Sequence, residues 1–257
     1  MNELKVIKIG GNVIEDSILF DSFLNDFAKL KGGKILVHGG GKDASNLAKK
    51  LGVNVNIIDG RRITDLSSLE VTTMIYAGKI NKFIVGKLQG LNCNAIGISG
   101  ADGNSISAVK RPIKEIDYGF VGDIDKINTD LFKLLLENKI TPVCCAISHD
   151  GNGQLLNTNA DTIASALAIE LSKLYSVSLL YCFEKIGVLK IDESEEKLVE
   201  LITPASYLNL KSKGIIKSGM IPKIDNCFNA LVNGVEIVKI GSPKIISKNE
   251  PYTKVKL

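Results

Sequence analysis

Lys8 stands near the end of an apolar run, Val6-Ile7-Lys8-Ile9, and two glycines follow it directly, Gly10 and Gly11. A lysine near the end of a buried strand is costly unless it meets an anion or reaches water. One unit later the pattern returns as Ile35-Leu36-Val37-His38-Gly39-Gly40-Gly41-Lys42. Consecutive glycines lose more conformational freedom on folding than other residues, so a triple glycine needs a reason. A close approach of a ligand to main-chain N–H groups is one, and a following helix adds free N–H groups and a partial positive charge. Two such turns on nearby strands suit the two ends of a moving phosphoryl group, with Lys8 as a fixed cation.

Two later stretches carry matching chemistry. Asn157-Thr158-Asn159-Ala160-Asp161 precedes a long helical pattern. Asp161 is either an N-terminal helix carboxylate or the anion that holds two lysines around a phosphate. Lys223 is the second lysine of that reading, because it follows Gly219-Met220-Ile221-Pro222 at a helix start, where a cation is locally unfavourable. His38 reads as a local hydrogen-bonding residue rather than a catalyst. No G-x-x-x-x-G-K-[ST] run occurs, and no G-x-G-x-x-G opens a helix after the first strand. That argues against a P-loop ATPase and a dinucleotide dehydrogenase.

The elements that must position these groups alternate. Strands are expected at Leu4–Ile9, Lys34–His38, Asn94–Ser99, Thr141–Ile147, Ser178–Phe183 and Val235–Ile240. Helical patterns cover Leu69–Leu88, Thr129–Asn138 and a stretch from about Asp161 onward, and Thr203 caps another. The alternation predicts an α/β fold with a mainly parallel sheet covered by helices. A β-hairpin excursion begins near Val109, Gly151-Asn152-Gly153 is a tight turn, and Asp192–Lys197 reads as a charged loop. A soft domain boundary falls near Leu171–Lys173.

The chain has 257 residues, 45% hydrophobic and 23% charged, which suits one large α/β domain or two lobes with a packed core. The net charge of +4 is spread along the sequence, and there is no tryptophan. A concentrated basic stripe, the mark of a nucleic-acid binder, is missing. None of the five cysteines makes a C-x-x-C pair, and the two histidines are not spaced with them as metal ligands. They read as buried hydrophobes in a reducing compartment, with no metal site. The apolar strand begins within a few residues of Met1 and no apolar run approaches a membrane span. The expectation is a cytoplasmic protein with neither nucleic acid nor membrane as partner.

Nearly the whole chain resembles the acetylglutamate kinases, a branch of the amino acid kinase superfamily. The resemblance rests on Lys8-Ile9-Gly10-Gly11, Val37-His38-Gly39-Gly40-Gly41, Gly60-Arg61-Arg62-Ile63-Thr64, and the run Met74 to Lys82. It continues through Gly97–Gly103, Gly119–Asp123, Asn157–Asp161 and Gly219–Lys223. It implies a three-layer αβα sandwich with two lobes: residues 1–172 for the acylated amino acid and dimerisation, residues 173–257 for ATP. The implied reaction is transfer of the ATP γ-phosphoryl group to the γ-carboxylate of an N-acyl-L-glutamate, in arginine biosynthesis. Lys8 and Lys223 would stabilise the migrating group and Asp161 would orient them. Gly40, Gly41, Arg62 and Asn157 would hold the acyl amino acid, with Arg62 on its α-carboxylate. Gly10, Gly11, Gly219 and Met220 would hold the nucleotide, and Mg²⁺ would ride on its phosphates.

Three features depart from the family pattern. Tyr181-Cys182-Phe183-Glu184-Lys185-Ile186-Gly187 stands where Ser/Thr-Asp-Val usually precedes a glycine, Lys42 stands where proline is common, and the first strand starts near Met1. The last leaves no room for the N-terminal helix that builds arginine-inhibited hexamers, so the expectation is a homodimer without arginine control. The alternatives are the same reaction on N-succinyl-L-glutamate, another carboxylate or carbamate kinase, and a non-catalytic amino-acid sensor on the same fold. Arg62 and the Asn157–Asp161 run oppose the second, and retention of Lys8, Asp161 and Lys223 opposes the third.

Overall fold

The computed structural model describes residues 2–58, 61–192, 195–216, 219–247 and 250–257. Met1, Gly60 of the arginine turn, and Glu193 and Ser194 of the expected charged loop lie outside the described residues. The chain divides into two compact units, Met1–Lys34 with Ala164–Leu257, and Ile35–Ile163.

In the first unit the strands Glu3–Ile9, Ser176–Cys182 and Ile237–Gly241 lie side by side and parallel. Leu4, Val6, Ile7 and Ile9 are all fully buried, as are Leu179, Val238 and Ile240. Burial on both faces explains the unbroken apolar runs. Thr253–Val255 adds an antiparallel strand and Leu201–Ile202 pairs with it. The register sets Lys8 beside Tyr181, and Ile9 beside Cys182, which is itself beside Gly241. Three parallel strands therefore end in line, the edge where open α/β sheets bind ligands. The helix Ser17–Lys29 buries Phe20, Phe23, Leu24 and Phe27, and Asp16 caps it by accepting from the N–H groups of Ile18 and Leu19. Thr203 caps the helix Pro204–Ser212 with a capping box, as its sequence suggests.

Glu195–Leu198 departs from expectation. Instead of a charged loop it forms a strand, paired antiparallel with Leu189–Asp192. Glu195–Leu198 is largely solvated and three of its four residues are charged, so no apolar alternation marks it as a strand.

In the second unit, Ile35–His38 ends the strand Gly33–His38 and lies parallel to Thr141–Cys145, which lies parallel to Ala95–Ile98. The expected strand Thr141–Ile147 is broken at Ala146, and Ile147–His149 belongs to another, four-stranded sheet. That sheet holds Leu155–Asn157, Ile147–His149, Ile106–Lys110 and Gly122–Ile127. Its antiparallel pair Ile106–Lys110 and Gly122–Ile127 is the expected excursion. Gly151, with φ 79°, turns the chain between the antiparallel strands Ile147–His149 and Leu155–Asn157.

The long helical stretch of this unit has three parts. Leu66–Thr73 is α-helical, Met74–Ile80 is π-helical, and Asn81–Gly90 is α-helical again. Wide π turns occur mostly where a helix must re-aim a side chain, often beside a functional site.

Candidate functional site

The first unit gathers one set of groups at the carboxyl ends of its parallel strands. Lys8 is half-buried one residue before the end of its strand. The Gly10 N–H donates to the Cys182 carbonyl at 2.9 Å, which extends the sheet by one rung. Gly11 then opens the short helix Gly11–Glu15, and a Cβ built there would meet nothing within 4 Å. The approach to this helix start is therefore open to a ligand.

Lys223 lies in the first turn of the helix Met220–Val232, whose N-cap is Gly219. Its Nζ sits 4.9 Å from the centre of the Tyr181 ring, a cation–π arrangement that holds the ammonium over the strand end. Burial pushes the Cys182 thiol up to about 12, while the Lys8 and Lys223 ammonium groups both pull it the other way. Two residues 215 positions apart in the sequence thus act on one strand end. Two ammonium groups beside an open helix start make a donor set suited to phosphate oxygens.

The second unit gathers another set. Gly39 and Gly40 connect the strand ending at His38 to the helix Gly41–Lys50. A Cβ on Gly40 would collide with Ile80 Cδ1 and would sit 3.1 Å from the Tyr76 ring, so glycine lets the helix start lie flat against the π-helical turn. Arg62, on the strand Arg61–Ile63, donates through Nη2 to the Gly41 carbonyl at 2.8 Å and to Ser45 Oγ at 2.6 Å. Asn157 is tied to the same region. Its Nδ2 donates to Thr64 Oγ1 at 3.0 Å, and its N–H donates to the Phe120 carbonyl at 2.9 Å. Thr64 closes the circle, donating from its N–H to the Tyr118 carbonyl and accepting from the Phe120 N–H at 2.7 Å.

Gly40, Gly41, Arg62 and Asn157 thus belong to one hydrogen-bonded region. Asp161 is half-buried in the first turn of the helix Ala160–Ser172. Asn159 caps that helix, its Oδ1 accepting from the N–H groups of Asp161 at 2.8 Å and Thr162 at 3.1 Å. Sequence reasoning assigned no role to Ser45, and Thr64, Tyr76 and Asn81 stood in the runs that carry the resemblance without a role of their own. Their only signal was membership of turns and helices that also carry the named residues.

His38 is fully buried, and its ring has a fixed role. Nδ1 lies 2.8 Å from the Gly39 carbonyl, which only accepts, so Nδ1 carries the proton. Nε2 then accepts from Asn81 Nδ2 at 3.1 Å, and the same amide also donates to the Val143 carbonyl at 2.9 Å. Burial pushes the ring's pKa down to about 4; the bond to Gly39 opposes this and the Lys82 charge adds to it. The folded protein keeps the ring neutral while the unfolded chain takes a proton below 6.5. The resulting stability is complete above pH 6.5 and is lost as the pH falls toward about 4. The loss is on the order of 3 kcal/mol. Thermal melting between pH 7.5 and pH 4.5 should therefore fall more steeply for the wild type than for His38→Gln. Parallel curves would show that the ring does not carry this dependence.

Comparison with known proteins bears on both regions. A model of the amino acid kinase family matches residues 3–242. A curated acetylglutamate kinase of Cytophaga hutchinsonii is 52% identical over 241 residues, spanning 93% of this chain and 91% of that protein. One of Bacteroides thetaiotaomicron is 46% identical over 248 residues, 96% of each chain. Among solved structures, smu.665 from Streptococcus mutans UA159 superposes with a TM-score of 0.81 at 26% identity, covering 99% of this chain and 98% of that one.

Proposed function

The chain belongs to the amino acid kinase family, and from that premise we propose that it transfers the γ-phosphoryl group of ATP to the γ-carboxylate of N-acetyl-L-glutamate. The observation that carries the reading is the convergence of Lys8 and Lys223 on the Cys182 end of the parallel strands. The names of the Cytophaga and Bacteroides relatives supply the acceptor.

A γ-carboxylate is already ionised at neutral pH, so its oxygen attacks phosphorus without a general base. The new O–P bond forms as the bond from phosphorus to the β-phosphate oxygen breaks, and ADP leaves with that electron pair. Catalysis is then positioning and charge stabilisation. Lys8 and Lys223 stabilise the equatorial oxygens of the migrating group. Asp161 orients both lysines, which its carboxylate suits by charge. Gly40 and Gly41 offer N–H groups to the γ-carboxylate, Arg62 grips the α-carboxylate and Asn157 fixes the acylamide. Gly10, Gly11, Gly219 and Met220 line the nucleotide phosphates, and Mg²⁺ carried on those phosphates neutralises their charge. Residues 1–172, apart from the Lys8–Gly11 turn, then serve the acyl amino acid and dimerisation, and residues 173–257 the nucleotide.

An ADP-release assay coupled to NADH oxidation tests this reading. ADP should appear only with Mg²⁺-ATP and N-acetyl-L-glutamate together, and hydroxylamine should trap an acyl phosphate. No acceptor-dependent ADP would overturn it.

We further propose a cytoplasmic homodimer. The five cysteines are buried and form no disulfide, which suits a reducing compartment. Leu66, Met74 and Phe83 are exposed along the 66–90 helical stretch and offer apolar surface to a second copy. Two-fold pairing is also the commonest closed assembly. Light scattering should give about twice the monomer mass, and a monomer or a hexamer would refute the pairing.

A further inference from the structure

We propose that Asn81 is a positioning residue: acting through His38, it fixes the Gly39–Gly40 peptide so that the Gly40 N–H faces the acceptor's γ-carboxylate. The proposal rests on the role given to Gly40 above and extends it to two buried side chains that the reaction itself does not require.

His38 and Asn81 are both buried, so each polar atom of their side chains needs a partner, and each has one. Asn81 Nδ2 donates to the Val143 carbonyl at 2.9 Å and to His38 Nε2 at 3.1 Å. Asn81 Oδ1 accepts from Lys82 Nζ at 3.2 Å. A carbonyl only accepts and an ammonium only donates, so these two partners fix which end of the amide faces the ring. Lys82 Nζ also donates to the Gly97 carbonyl at 3.0 Å. Val143 and Gly97 lie on the neighbouring strands Thr141–Cys145 and Ala95–Ile98, so the amide is anchored to the sheet itself. A Cβ on Gly97 would collide with Asn81 Oδ1, and glycine at that place makes the room the amide occupies.

The consequence falls on the glycine turn. With Nε2 held as an acceptor, the neutral ring carries its one proton on Nδ1 and donates it to the Gly39 carbonyl at 2.8 Å. The Gly39–Gly40 peptide is planar and trans, so its C=O and N–H point in opposite directions. Anchoring the carbonyl on the buried ring therefore aims the Gly40 N–H away from that ring. Among the described residues no backbone acceptor meets this N–H. A peptide between two glycines turns over readily, and the ring selects one of its two faces. Ile80, the residue before Asn81, fills the place a Gly40 Cβ would take. The end of the π-helical turn thus holds the glycine turn twice, by a contact at Ile80 and by a hydrogen-bond relay from Asn81.

The chain has two histidines, His38 and His149, so nitrogen NMR of isotope-labelled histidine reads this ring directly. Wild-type His38 should be the neutral Nδ1–H tautomer at pH 7.5, and an Nε2–H tautomer would overturn the proposal without reference to activity. Asn81→Asp keeps the shape of the side chain and turns the donor facing His38 into an acceptor. A neutral ring then gives its proton to the new carboxylate, its Nδ1 lone pair faces the Gly39 carbonyl, and the peptide turns away. An imidazolium donates both ways and keeps the peptide in place. Lys82 is the other charge that faces this pair. Variant kcat/KM for N-acetyl-L-glutamate, divided by the wild-type value at each pH, should follow the imidazolium fraction that NMR reads between pH 6 and pH 8.5. Where the ring is neutral it should be lower by about tenfold to a hundredfold, the scale of a hydrogen bond to a charged group. KM for Mg²⁺-ATP should stay within about twofold, which a general loosening of the fold would not spare. Wild-type kcat/KM with a neutral Nε2–H ring, or an equal loss toward ATP, would overturn the proposal. A wild type that shows the Nδ1–H tautomer but no acceptor-dependent ADP release would overturn the functional reading, and with it the use assigned to the turn.

Discussion

Lys8→Ala and Lys223→Ala should each lower kcat by about 10²–10³, the scale of one lost donor to developing charge. Both lysines are carried on packed, regular backbone. Lys8 is locked by the register of a strand buried on both faces, opposite Tyr181. Lys223 is held over the Tyr181 ring by the first turn of its own helix. Neither needs to move when charge builds on the migrating group, which is what makes a fixed cation effective. KM for N-acetyl-L-glutamate should change much less, because in the proposed reading the acceptor's own charges go to Arg62 and the glycine turn. Steady-state kinetics of the two variants, with thermal melts to show that both remain folded, make the measurement. Near-normal turnover in either variant would remove that lysine from the mechanism. The double variant should fall by less than the product of the single losses, since both act on one phosphoryl group.

These lysines were legible in the sequence because each sits where a lysine is otherwise unfavourable. The triple-glycine turn was legible for the same kind of reason, since a Cβ at Gly40 would collide with Ile80 Cδ1. The parallel strands were visible as unbroken apolar runs. That signal fails where the run continues through a bend, as at Ala146, because nothing in an apolar stretch marks a change of sheet. It fails again at Glu195–Leu198, a largely solvated strand with three charged residues in four and no apolar run to read. Thr253–Val255 is short enough that only its neighbours define it. The π-helical turn is hidden because Met74–Ile80 has the same residue types as the α-helix around it. The supporting residues are hidden by distance along the chain. Ser45 meets Arg62 from 17 positions away, and Thr64 meets Asn157 from 93. Local pattern identifies the residues proposed to face the chemistry. Only the fold identifies those that hold them in place.

Arg62→Ala should raise KM for N-acetyl-L-glutamate by about 10² while kcat falls by no more than a few-fold. The α-carboxylate carries the same charge in the ground state and in the transition state, because phosphoryl transfer takes place at the other end of the substrate. An interaction equal in both states contributes to binding and leaves the chemical step nearly untouched. The magnitude follows from two charge-assisted hydrogen bonds in a forked geometry, each worth about 1.5–3 kcal/mol and weakened by the half-exposed setting. Arg62→Lys should recover little of the loss. A lysine presents a single ammonium, which cannot keep the bonds to the Gly41 carbonyl and Ser45 Oγ while also meeting a planar carboxylate with two parallel donors. The measurement is a substrate titration of wild type, Arg62→Ala and Arg62→Lys at saturating Mg²⁺-ATP. A loss confined to kcat with KM unchanged would place Arg62 at the reacting end of the substrate instead. The two neutral contacts that fix the guanidinium would then orient a charge toward the migrating phosphoryl group, and the α-carboxylate would need another partner in the Thr64 and Asn157 region.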